Sequence, residues 1–405
     1  MLTRAIPQHT VDTTDHSFSS LGLSAPILAA LEELGFRHPT PIQAEVIPRL
    51  LAGRDVIGLA QTGSGKTAAF ALPMAEKLWH GKGVRGLIVC PTREIALQTQ
   101  AFLEVFGRDH QLATTCIIGG VNYGPQIREL GERPDIVVAT PGRLLDHMER
   151  GNVRLDAIEI LVLDEADHML DLGFLPQMRR ILESVPAQRQ TMMFSATMVP
   201  PIERLAQRFM RDPERVDILP SGRAAEGIEH RLYMVHDEDK KKCLMALIEE
   251  EPGAALVFVR RKIDAEWACR QLELQGHPVE RIHSDRSQRQ RVEALSGIRE
   301  GEHRILVATD IAARGIDLPI LEHIINFDVP QTVEDYIHRA GRTARGLAGG
   351  TVSTIATWQD KEMIRGIEKA IEQPLLRRVA PGVEPYVERS AAGRGGRERV
   401  RRRLR

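Results

Sequence analysis

One short glycine-rich segment limits the choice of fold more than any other part of the sequence: Ala60-Gln61-Thr62-Gly63-Ser64-Gly65-Lys66-Thr67. The apolar run before it, residues 55–59, is typical of a buried strand, and residues 68–72 after it are typical of a helix start. The glycines let several backbone N–H groups point at one anion, and the helix N-terminus adds a partial positive charge. The segment therefore predicts a phosphate-binding loop, in which Lys66 reaches the β- and γ-phosphates and the Thr67 hydroxyl ligates Mg²⁺. A glycine-rich turn that binds nothing is the alternative.

An acidic cluster follows a second buried strand, as such a loop requires. Residues 158–163 are apolar at nearly every position, which is typical of a strand covered on both faces. The run leads directly into Asp164-Glu165-Ala166-Asp167. Ligands of open α/β sheets lie at the carboxyl ends of the strands, so we expect Asp164 to hold Mg²⁺ and Glu165 to polarise a water molecule. An acidic helix start on the surface is the alternative.

The composition is that of a globular protein with two or three domains. The 405 residues are 42% hydrophobic and 27% charged. No apolar run approaches the roughly 18 residues that span a bilayer, and the N-terminus lacks the apolar core of a signal peptide. Four widely spaced cysteines argue against a zinc site and predict a reducing, cytoplasmic location: Cys90, Cys116, Cys243 and Cys269. Cys90 and Cys116 lie in apolar runs, and we expect both in the core.

The charge is unevenly distributed along the chain. The formal net charge of the whole chain is −1, yet the last 17 residues contain eight arginines and a single glutamate. This Arg/Gly segment predicts a polyanionic partner, with a merely solubilising tail as the alternative.

Alternating strands and helices predict an α/β protein with two domains and parallel sheets. We expect a disordered N-terminus over residues 1–17, a first domain over 18–219, a flexible linker over 220–227, a second domain over 228–378 and a basic tail over 379–405. Pro73 is expected to kink or shorten the helix after the phosphate-binding loop. The predicted strands lie at 86–90, 113–118, 135–139, 158–163, 190–194, 254–259, 305–309, 323–327 and 351–355. The predicted helices lie at 93–106, 141–149, 177–183, 240–250, 262–275, 287–300 and 358–370.

The second half has no Gly-Lys-Thr loop of its own, so we expect it to close over a nucleotide held by the first half. Arg339, Arg342 and Arg345 follow one another at intervals of three, and on a helix they would share one face. Guanidinium groups on such a face suit the charge that develops on a transferring γ-phosphate. A solvated basic helix face is the alternative.

Many segments, taken in order, resemble the DEAD-box RNA helicases over residues 18–371. In the first domain the matching segments are Phe18, 35–43, the phosphate-binding loop, 91–98, 119–120, 140–143, 164–167 and 195–197. In the second domain they are 257–259, 288–291, 308–317 and 338–345. The resemblance implies two tandem RecA-like, doubly wound parallel-sheet domains joined by a flexible linker. It also implies RNA-stimulated ATP hydrolysis coupled to local, non-processive unwinding of RNA duplexes or remodelling of RNA–protein complexes.

The resemblance further implies roles for single residues. Besides the phosphate-binding loop, the ATP-binding residues are expected to be Phe18, Phe36, Thr40, Gln43, Gly315 and Asp317. Of these, Gln43 would read the adenine edge, Phe36 would stack on it and Asp317 would meet the ribose. Catalysis is expected to involve Lys66, Asp164, Glu165, His338, Arg342 and Arg345. Ser195 and Thr197 would couple the nucleotide site to the RNA site through hydrogen bonds with Asp167.

RNA, single-stranded or in short duplexes, is expected to be held mainly by its sugar–phosphate backbone. The residues implied are Pro91, Thr92, Arg93, Gly120, Thr140, Arg143, Arg291 and Thr309. They are small donors, backbone amides and guanidinium groups, and only 4% of the chain is aromatic, so binding is expected to be independent of base sequence. The 2′-hydroxyl would then separate RNA from DNA.

Two other functions remain open at this point. A DNA-directed helicase of the same architecture is disfavoured by residues 35–43 and 91–94. An ATP-gated RNA clamp without turnover is disfavoured by the presence of Lys66, Glu165, Arg342 and Arg345. The short length and the Arg/Gly tail are similar to bacterial members that act in ribosome assembly or RNA decay. Ribosomal or RNA-decay proteins are therefore the expected protein partners, and no association with a membrane is expected.

Overall fold

The computed structural model describes residues 17–60, 63–79, 83–107, 112–218, 227–313, 321–343, 350–384 and 386. Five of the predicted site residues lie outside these ranges: Gln61, Thr62, Gly315, Asp317 and Arg345. The Arg/Gly segment and nearly all of the predicted linker also lie outside them. Within the described ranges, no helix is both long enough and apolar enough to cross a membrane.

The first half of the chain forms a sheet of seven parallel strands. They are β1 (Val56–Ala60), β2 (Gly86–Val89), β3 (Thr114–Ile117), β4 (Ile136–Ala139), β5 (Ile160–Leu163), β6 (Gln190–Ser195) and β7 (Glu214–Ile218). Their order in the sheet is β3-β4-β2-β5-β6-β1-β7. The central strands are buried along their whole length, as expected for a parallel sheet that helices cover on both faces.

Nine helices accompany this sheet in the described part of the first half. They are α1 (Ala25–Glu33), α2 (Pro41–Leu51), α3 (Lys66–Leu78), α4 (Arg93–Gly107), α5 (Tyr123–Gly131), α6 (Pro141–Glu149), α7 (Ala166–Asp171), α8 (Leu175–Ser184) and α9 (Pro200–Phe209). Two separate hydrophobic clusters place α1 to α4 on one face of the sheet and α5 to α9 on the other. α3 continues through Pro73 to Leu78, so the proline does not end the helix.

The second half forms another sheet of seven parallel strands. They are β8 (Ile228–Met234), β9 (Ala255–Val259), β10 (Val279–Ile282), β11 (Ile305–Thr309), β12 (His323–Asn326), β13 (Gly350–Ala356) and β14 (Leu376–Arg378). Their order is β10-β11-β9-β12-β13-β8-β14. The helices are α10 (Lys240–Glu250), α11 (Lys262–Leu274), α12 (Gln288–Glu300), α13 (Asp310–Ala313), α14 (Val333–Ala340) and α15 (Lys361–Ala370).

The two sheets have the same topology. When the strands are numbered within their own half, each sheet has the order 3-4-2-5-6-1-7. The predicted pair of doubly wound α/β units is therefore confirmed. In each unit the carboxyl ends of the central strands form one edge, which is where open α/β sheets bind their ligands.

Some elements differ from the sequence-based expectation. β7, β8, β10 and β14 were not predicted, because charged residues interrupt the apolar pattern in all four, and β7, β10 and β14 also lie at sheet edges. Ala380 and Val383 are buried in the second core, so packed structure extends beyond the predicted boundary at Arg378. All four cysteines are buried and free, which confirms the core location expected for Cys90 and Cys116.

Candidate active site between the two halves

The phosphate-binding loop connects the end of β1 to the start of α3. Gly63 and Gly65 have φ angles of 84° and 91°, a region of backbone conformation that favours glycine. A Cβ atom on Gly65 would lie 2.4 Å from Nε2 of Gln43, so a larger residue would collide there. The Lys66 side chain is buried, and its Nζ donates to the Ala60 carbonyl at 2.8 Å. The lysine is thus folded back onto the end of β1.

Gln43 connects the start of α2 to this loop. Its Oε1 accepts a hydrogen bond from the Thr40 N–H at 2.9 Å, and its Nε2 donates to the Gly65 carbonyl at 3.0 Å. A carboxamide has a second N–H donor and a second acceptor lone pair. The observed contacts are therefore compatible with the adenine contact that the family resemblance implies.

The two aromatic residues expected at the ATP site differ in exposure. Phe36 is partly exposed, whereas Phe18 is 4% exposed and belongs to the hydrophobic core. Their ring centroids lie 6.5 Å apart with an interplanar angle of 82°, and Phe102 meets Phe36 in a similar edge contact at 6.3 Å. Phe36 thus has an accessible ring whose orientation is fixed by two neighbours.

Two buried carboxyl groups lie at the carboxyl end of β5. Asp164 and Glu165 are only 4% and 8% exposed. Burial, together with the charge of Glu165, raises the pKa of Asp164 to about 7. Burial also opposes ionisation of Glu165, but a 3.0 Å hydrogen bond with Nδ1 of His168 and electrostatic interactions with His168, Lys66 and Arg342 outweigh it and lower its pKa. Glu165 therefore keeps its negative charge at neutral pH.

The backbone at Glu165 is unusual. Its φ and ψ angles are 51° and 57°, in the left-handed region that non-glycine residues rarely adopt. Such strain persists where the surrounding structure enforces it, often at functional sites. Here the left-handed residue lets β5 pass directly into α7, which brings three carboxyl groups to the end of one strand.

Asp167 is hydrogen-bonded to the end of β6 and the residues that follow it, as the family resemblance implies. Its Oδ2 accepts from the N–H groups of Ala196 and Thr197, both at 2.9 Å, and from the Thr197 hydroxyl at 3.2 Å. The Ser195 hydroxyl accepts from the Asp167 N–H at 3.3 Å. These bonds join the acidic cluster on β5 to the end of β6.

The second half supplies the opposite wall of a cavity of about 430 Å³. Lys66 and Glu165 line this cavity from the first half, and Thr332, His338 and Arg342 line it from the second. Arg342 is only 5% exposed, and its charge contributes to the lowered pKa of Glu165. Groups expected to act in catalysis thus come from both halves and meet in one cavity.

The predicted single helical face of arginines is wrong. α14 ends before Arg342, and Arg345 lies outside the described residues. Arg339 points into the second half, where its guanidinium donates to both carboxylate oxygens of Asp310 at 2.6 and 2.7 Å. The helix stops too early for the three-residue spacing to keep these side chains together.

The expected RNA-binding residues lie at the carboxyl ends of other strands. In the first half, Pro91 and Thr92 follow β2, Gly120 lies just after β3 and Thr140 follows β4. These strands are adjacent in the sheet, whereas β5, β6 and β1 carry the nucleotide-site residues. Neighbouring strands are about 4.8 Å apart, so the two groups lie side by side along one edge. Thr309 lies at the corresponding edge of the second half, at the end of β11.

Three guanidinium groups gather near this edge, those of Arg93, Arg143 and Arg291. Burial lowers the pKa of Arg93; Glu94 opposes this effect, while the charges of Arg291 and Arg143 add to it. Arg93 packs so closely on Gly120 that a Cβ atom there would lie 2.0 Å from its Nη1. A cluster of cations at a sheet edge is suited to binding a polyanion.

An ion pair connects the two halves. Nε of Arg291, on α12, lies 2.8 Å from Oε1 of Glu94, on α4, and the two side chains are only 13% and 4% exposed. Nη2 of Arg291 also donates to the Ala312 carbonyl at 3.4 Å. The residue expected to contact RNA therefore has an additional partner in the opposite half.

Sequence reasoning missed two residues of this site. His168, the partner of Glu165, lies three residues after it on the same helix, and this spacing was a usable signal. Glu94 gave no comparable signal, because its partner comes from the other half of the chain.

A phosphate-binding loop, a buried acidic pair and an arginine from a second copy of the same fold define a nucleoside triphosphatase whose site is divided between two halves. The DEAD/DEAH box helicase family matches residues 40–205, and the helicase conserved C-terminal domain matches residues 239–346. The DEAD-box ATP-dependent RNA helicase CshA of Bacillus licheniformis is 42% identical over 374 residues, which cover 92% of this chain and 77% of CshA. The chain belongs to the DEAD-box ATP-dependent RNA helicases, and it therefore binds and hydrolyses ATP and binds RNA.

Two solved structures show how the halves are arranged. Dbp5 of S. cerevisiae, bound to RNA and ADP BeF3, is 30% identical with a TM-score of 0.81, over 90% of this chain and 95% of the Dbp5 chain. A DEAD box protein of Methanococcus jannaschii is 35% identical with a TM-score of 0.52, over 89% of this chain and 99% of that chain. The likeness to Dbp5 shows that both halves have the RecA-like fold. The TM-score of 0.81 extends over 90% of this chain and therefore over both halves, so the halves also lie in an arrangement like that of RNA-bound Dbp5.

Replacing Glu94 with Gln should raise the RNA concentration that half-saturates the ATPase by about 30-fold or more, the factor that corresponds to about 2 kcal/mol. Removing the charge of one partner of a buried ion pair costs about 2 kcal/mol or more. Here that cost destabilises only the arrangement in which the two halves are together, because Arg291 and Glu94 belong to different halves. The unfolding temperature should stay unchanged, because both charges regain water when the halves separate. The measurements are an RNA titration of ATPase activity and thermal unfolding.

Glu104→Gln is the matched control, since Glu104 lies exposed on the same helix. An unchanged RNA requirement in Glu94→Gln would show that the ion pair does not hold the halves together.

Proposed function

We propose that this helicase opens short RNA duplexes locally, or remodels RNA–protein complexes, in a cycle driven by RNA-stimulated ATP hydrolysis. The observation that carries the proposal is that Lys66 and Glu165 of the first half share one cavity with His338 and Arg342 of the second. A site assembled from two halves is active only when they are together. A ligand that holds both halves therefore controls turnover.

In this proposal the first half binds the nucleotide. Gln43 contacts the adenine edge, Phe36 stacks on the base, and the loop from Gly63 to Thr67 holds the phosphates with its N–H groups and the Lys66 amine. The closeness of Gln43 to Gly65 supports this assignment, because it joins the base-reading residue to the phosphate loop.

The residues present fit Mg²⁺. Oδ1 of Asp164 is buried and has no hydrogen-bond partner, as expected of an oxygen kept for a cation. Within the described residues, no group of three or more His, Cys, Asp or Glu side chains forms a metal site by itself. Mg²⁺ commonly binds through one or two carboxylates together with phosphate oxygens and water. Asp164 and Thr67 would hold the ion, which would neutralise charge on the β- and γ-phosphates.

The two halves supply different groups for ATP hydrolysis, Glu165 from the first half and Arg342 from the second. The ionised Glu165 carboxylate orients the attacking water, and His168 fixes that carboxylate through their hydrogen bond. Arg342 stabilises the charge that builds on the γ-phosphate, with His338 beside it in the cavity. By the same family reasoning, Arg345 is a second such group, and Gly315 and Asp317 meet the nucleotide from the second half.

RNA binds along the edges of both sheets and draws the halves together. In the first half, Arg93, Arg143 and the small residues around Thr92, Gly120 and Thr140 contact the sugar–phosphate backbone. Arg291 and Thr309 continue the path on the second half. The arrangement of the halves, which is like that of RNA-bound Dbp5, supports this view. The hydrogen bonds between Asp167 and residues 195–197 join the ends of β5 and β6, and we assign to them the coupling of the nucleotide and RNA sites that the family resemblance implies.

The pathway is proposed from the family resemblance and the Arg/Gly segment, which is similar to that of bacterial members acting in ribosome assembly or RNA decay. A cytoplasmic helicase of those processes, with their proteins as partners, is the function we assign, and the similarity to CshA of Bacillus licheniformis supports a bacterial helicase. The four free cysteines agree with a reducing compartment. The arginines from Arg389 to Arg405 would add phosphate contacts that are independent of base sequence.

The test of the proposed function compares RNA and DNA duplexes of the same sequence. With ATP and Mg²⁺, the full chain should release a strand from a short RNA duplex and should hydrolyse ATP faster with RNA than with DNA. The measurements are a strand-release assay and steady-state ATPase activity. Equal stimulation by both nucleic acids would contradict the assignment of RNA specificity, and ATP turnover without strand release would favour a clamp.

Replacing Glu165 with Gln should trap the protein on RNA in the presence of ATP. Lys66, Thr67 and Asp164 still hold the nucleotide, but the water is no longer oriented, so the closed complex persists. Dissociation of a labelled RNA, measured in ATP, should be slower than for the parent protein. Glu132→Gln, at an exposed position, is the control. Parent-like RNA release by Glu165→Gln would contradict the role given to this carboxylate.

A further inference from the structure

Tyr123 lies beside the candidate RNA edge and has no role in the site described above. It begins α5, three residues after Gly120, and its ring is partly exposed. The Cζ atom of Arg143 lies 4.1 Å from the ring centroid, within the range of a cation–π contact. Nη1 of Arg143 also donates to the Val121 carbonyl at 3.0 Å. Two neighbours from one short segment therefore fix this guanidinium.

The ring lies along one face of α6. Arg143, Asp146 and Arg150 are spaced by three and four residues, so their side chains share a helix face. The Arg150 Cζ lies 4.8 Å from the Tyr123 centroid, and the Tyr123 hydroxyl donates to Oδ2 of Asp146 at 2.6 Å. Two guanidinium groups thus contact the ring, and a hydrogen bond anchors its hydroxyl.

Further contacts restrain the Tyr123 ring and favour the neutral forms of Tyr123 and His147. The imidazole of His147 packs on the ring at 5.1 Å, and burial, together with the charge of Arg143, lowers the pKa of His147. The hydrogen bond with Asp146 raises the pKa of Tyr123, so the phenol stays neutral at physiological pH. No negative charge therefore develops on the ring to compete with a phosphate for the arginine.

We propose that Tyr123 is a positioning residue that holds the Arg143 guanidinium in place for an RNA phosphate. The inference rests on the proposed function, in which Arg143 binds the RNA backbone. An arginine that is already restricted loses less conformational freedom when it binds, and this preorganisation strengthens binding without a new contact to the ligand. Tyr123 need not touch the RNA for this effect.

A double-mutant cycle in the full chain tests the inference. The variants are Tyr123→Leu, Tyr123→Phe, Arg143→Ala and Tyr123→Leu combined with Arg143→Ala. The probe is a single-stranded oligouridine RNA, titrated into the ATPase assay and also bound in the presence of ADP and beryllium fluoride. Unfolding temperature and ATPase activity without RNA report on folding, and Tyr123→Met replaces Tyr123→Leu if the latter is less stable.

Tyr123→Leu should raise the RNA concentration for half-maximal ATPase by about two- to five-fold, the range of an exposed cation–π contact, and leave the maximal rate unchanged. Tyr123→Phe should behave like the parent protein, because the ring is kept. In the Arg143→Ala background, Tyr123→Leu should have no further effect.

The outcomes separate the two proposals. If Arg143→Ala alone leaves the RNA requirement unchanged, the RNA role of Arg143 in the proposed function fails. If Arg143→Ala weakens RNA binding but Tyr123→Leu does not, or if the two effects add, the positioning role is overturned and the proposed function stands. An equal loss in Tyr123→Phe would also overturn it, because the effect would then come from the hydroxyl bond to Asp146.

Discussion

Asp164 and Glu165 lie buried side by side at the end of β5, and the candidate active site depends on how their negative charge is balanced. Burying one ionised group costs on the order of several kcal/mol unless opposite charge is near, and Asp164 responds with a raised pKa. Glu165 stays charged because His168, Lys66 and Arg342 surround it. Lys66 and His168 belong to the first half, whereas Arg342 comes from the second. The charge balance of the site therefore links the nucleotide pocket to the closeness of the halves.

The repeated topology explains how such a divided site arises. Both halves have the strand order 3-4-2-5-6-1-7, and each presents one edge of strand carboxyl ends. In the first half this edge is shared, with β1, β5 and β6 next to the nucleotide site and β2, β3 and β4 next to the expected RNA path. Asp167 joins the ends of β5 and β6, both on the nucleotide side, through its bonds to residues 195–197. On the side of the expected RNA path, the ion pair between Glu94 and Arg291 connects the two halves.

Much of the fold and of the candidate site could be predicted from the sequence, because the pattern of neighbouring residues determines those parts. The buried central strands, the phosphate-binding loop and the acidic cluster all have strong periodic or motif signals. The strands β7, β8, β10 and β14 were missed, since their charged residues hide the pattern. The spacing of the arginines led to the wrong prediction of one shared helix face, because α14 ends between Arg339 and Arg342. Contacts between distant segments, such as Arg291 with Glu94 and Tyr123 with Arg143, have no sequence signal, since only the folded chain brings them together.

The central claim is that neither half completes the ATPase site alone, and Arg342 tests it most directly. Steady-state ATP hydrolysis should be measured with saturating RNA for the parent protein, Arg342→Ala and Arg365→Ala, an exposed arginine elsewhere in the second half. Arg342→Ala should still bind ATP but should lose RNA-stimulated turnover by about 10³-fold or more, as removal of an arginine finger does. Arg365→Ala should match the parent. RNA-stimulated turnover in Arg342→Ala within a few-fold of the parent rate would contradict a site divided between the two halves.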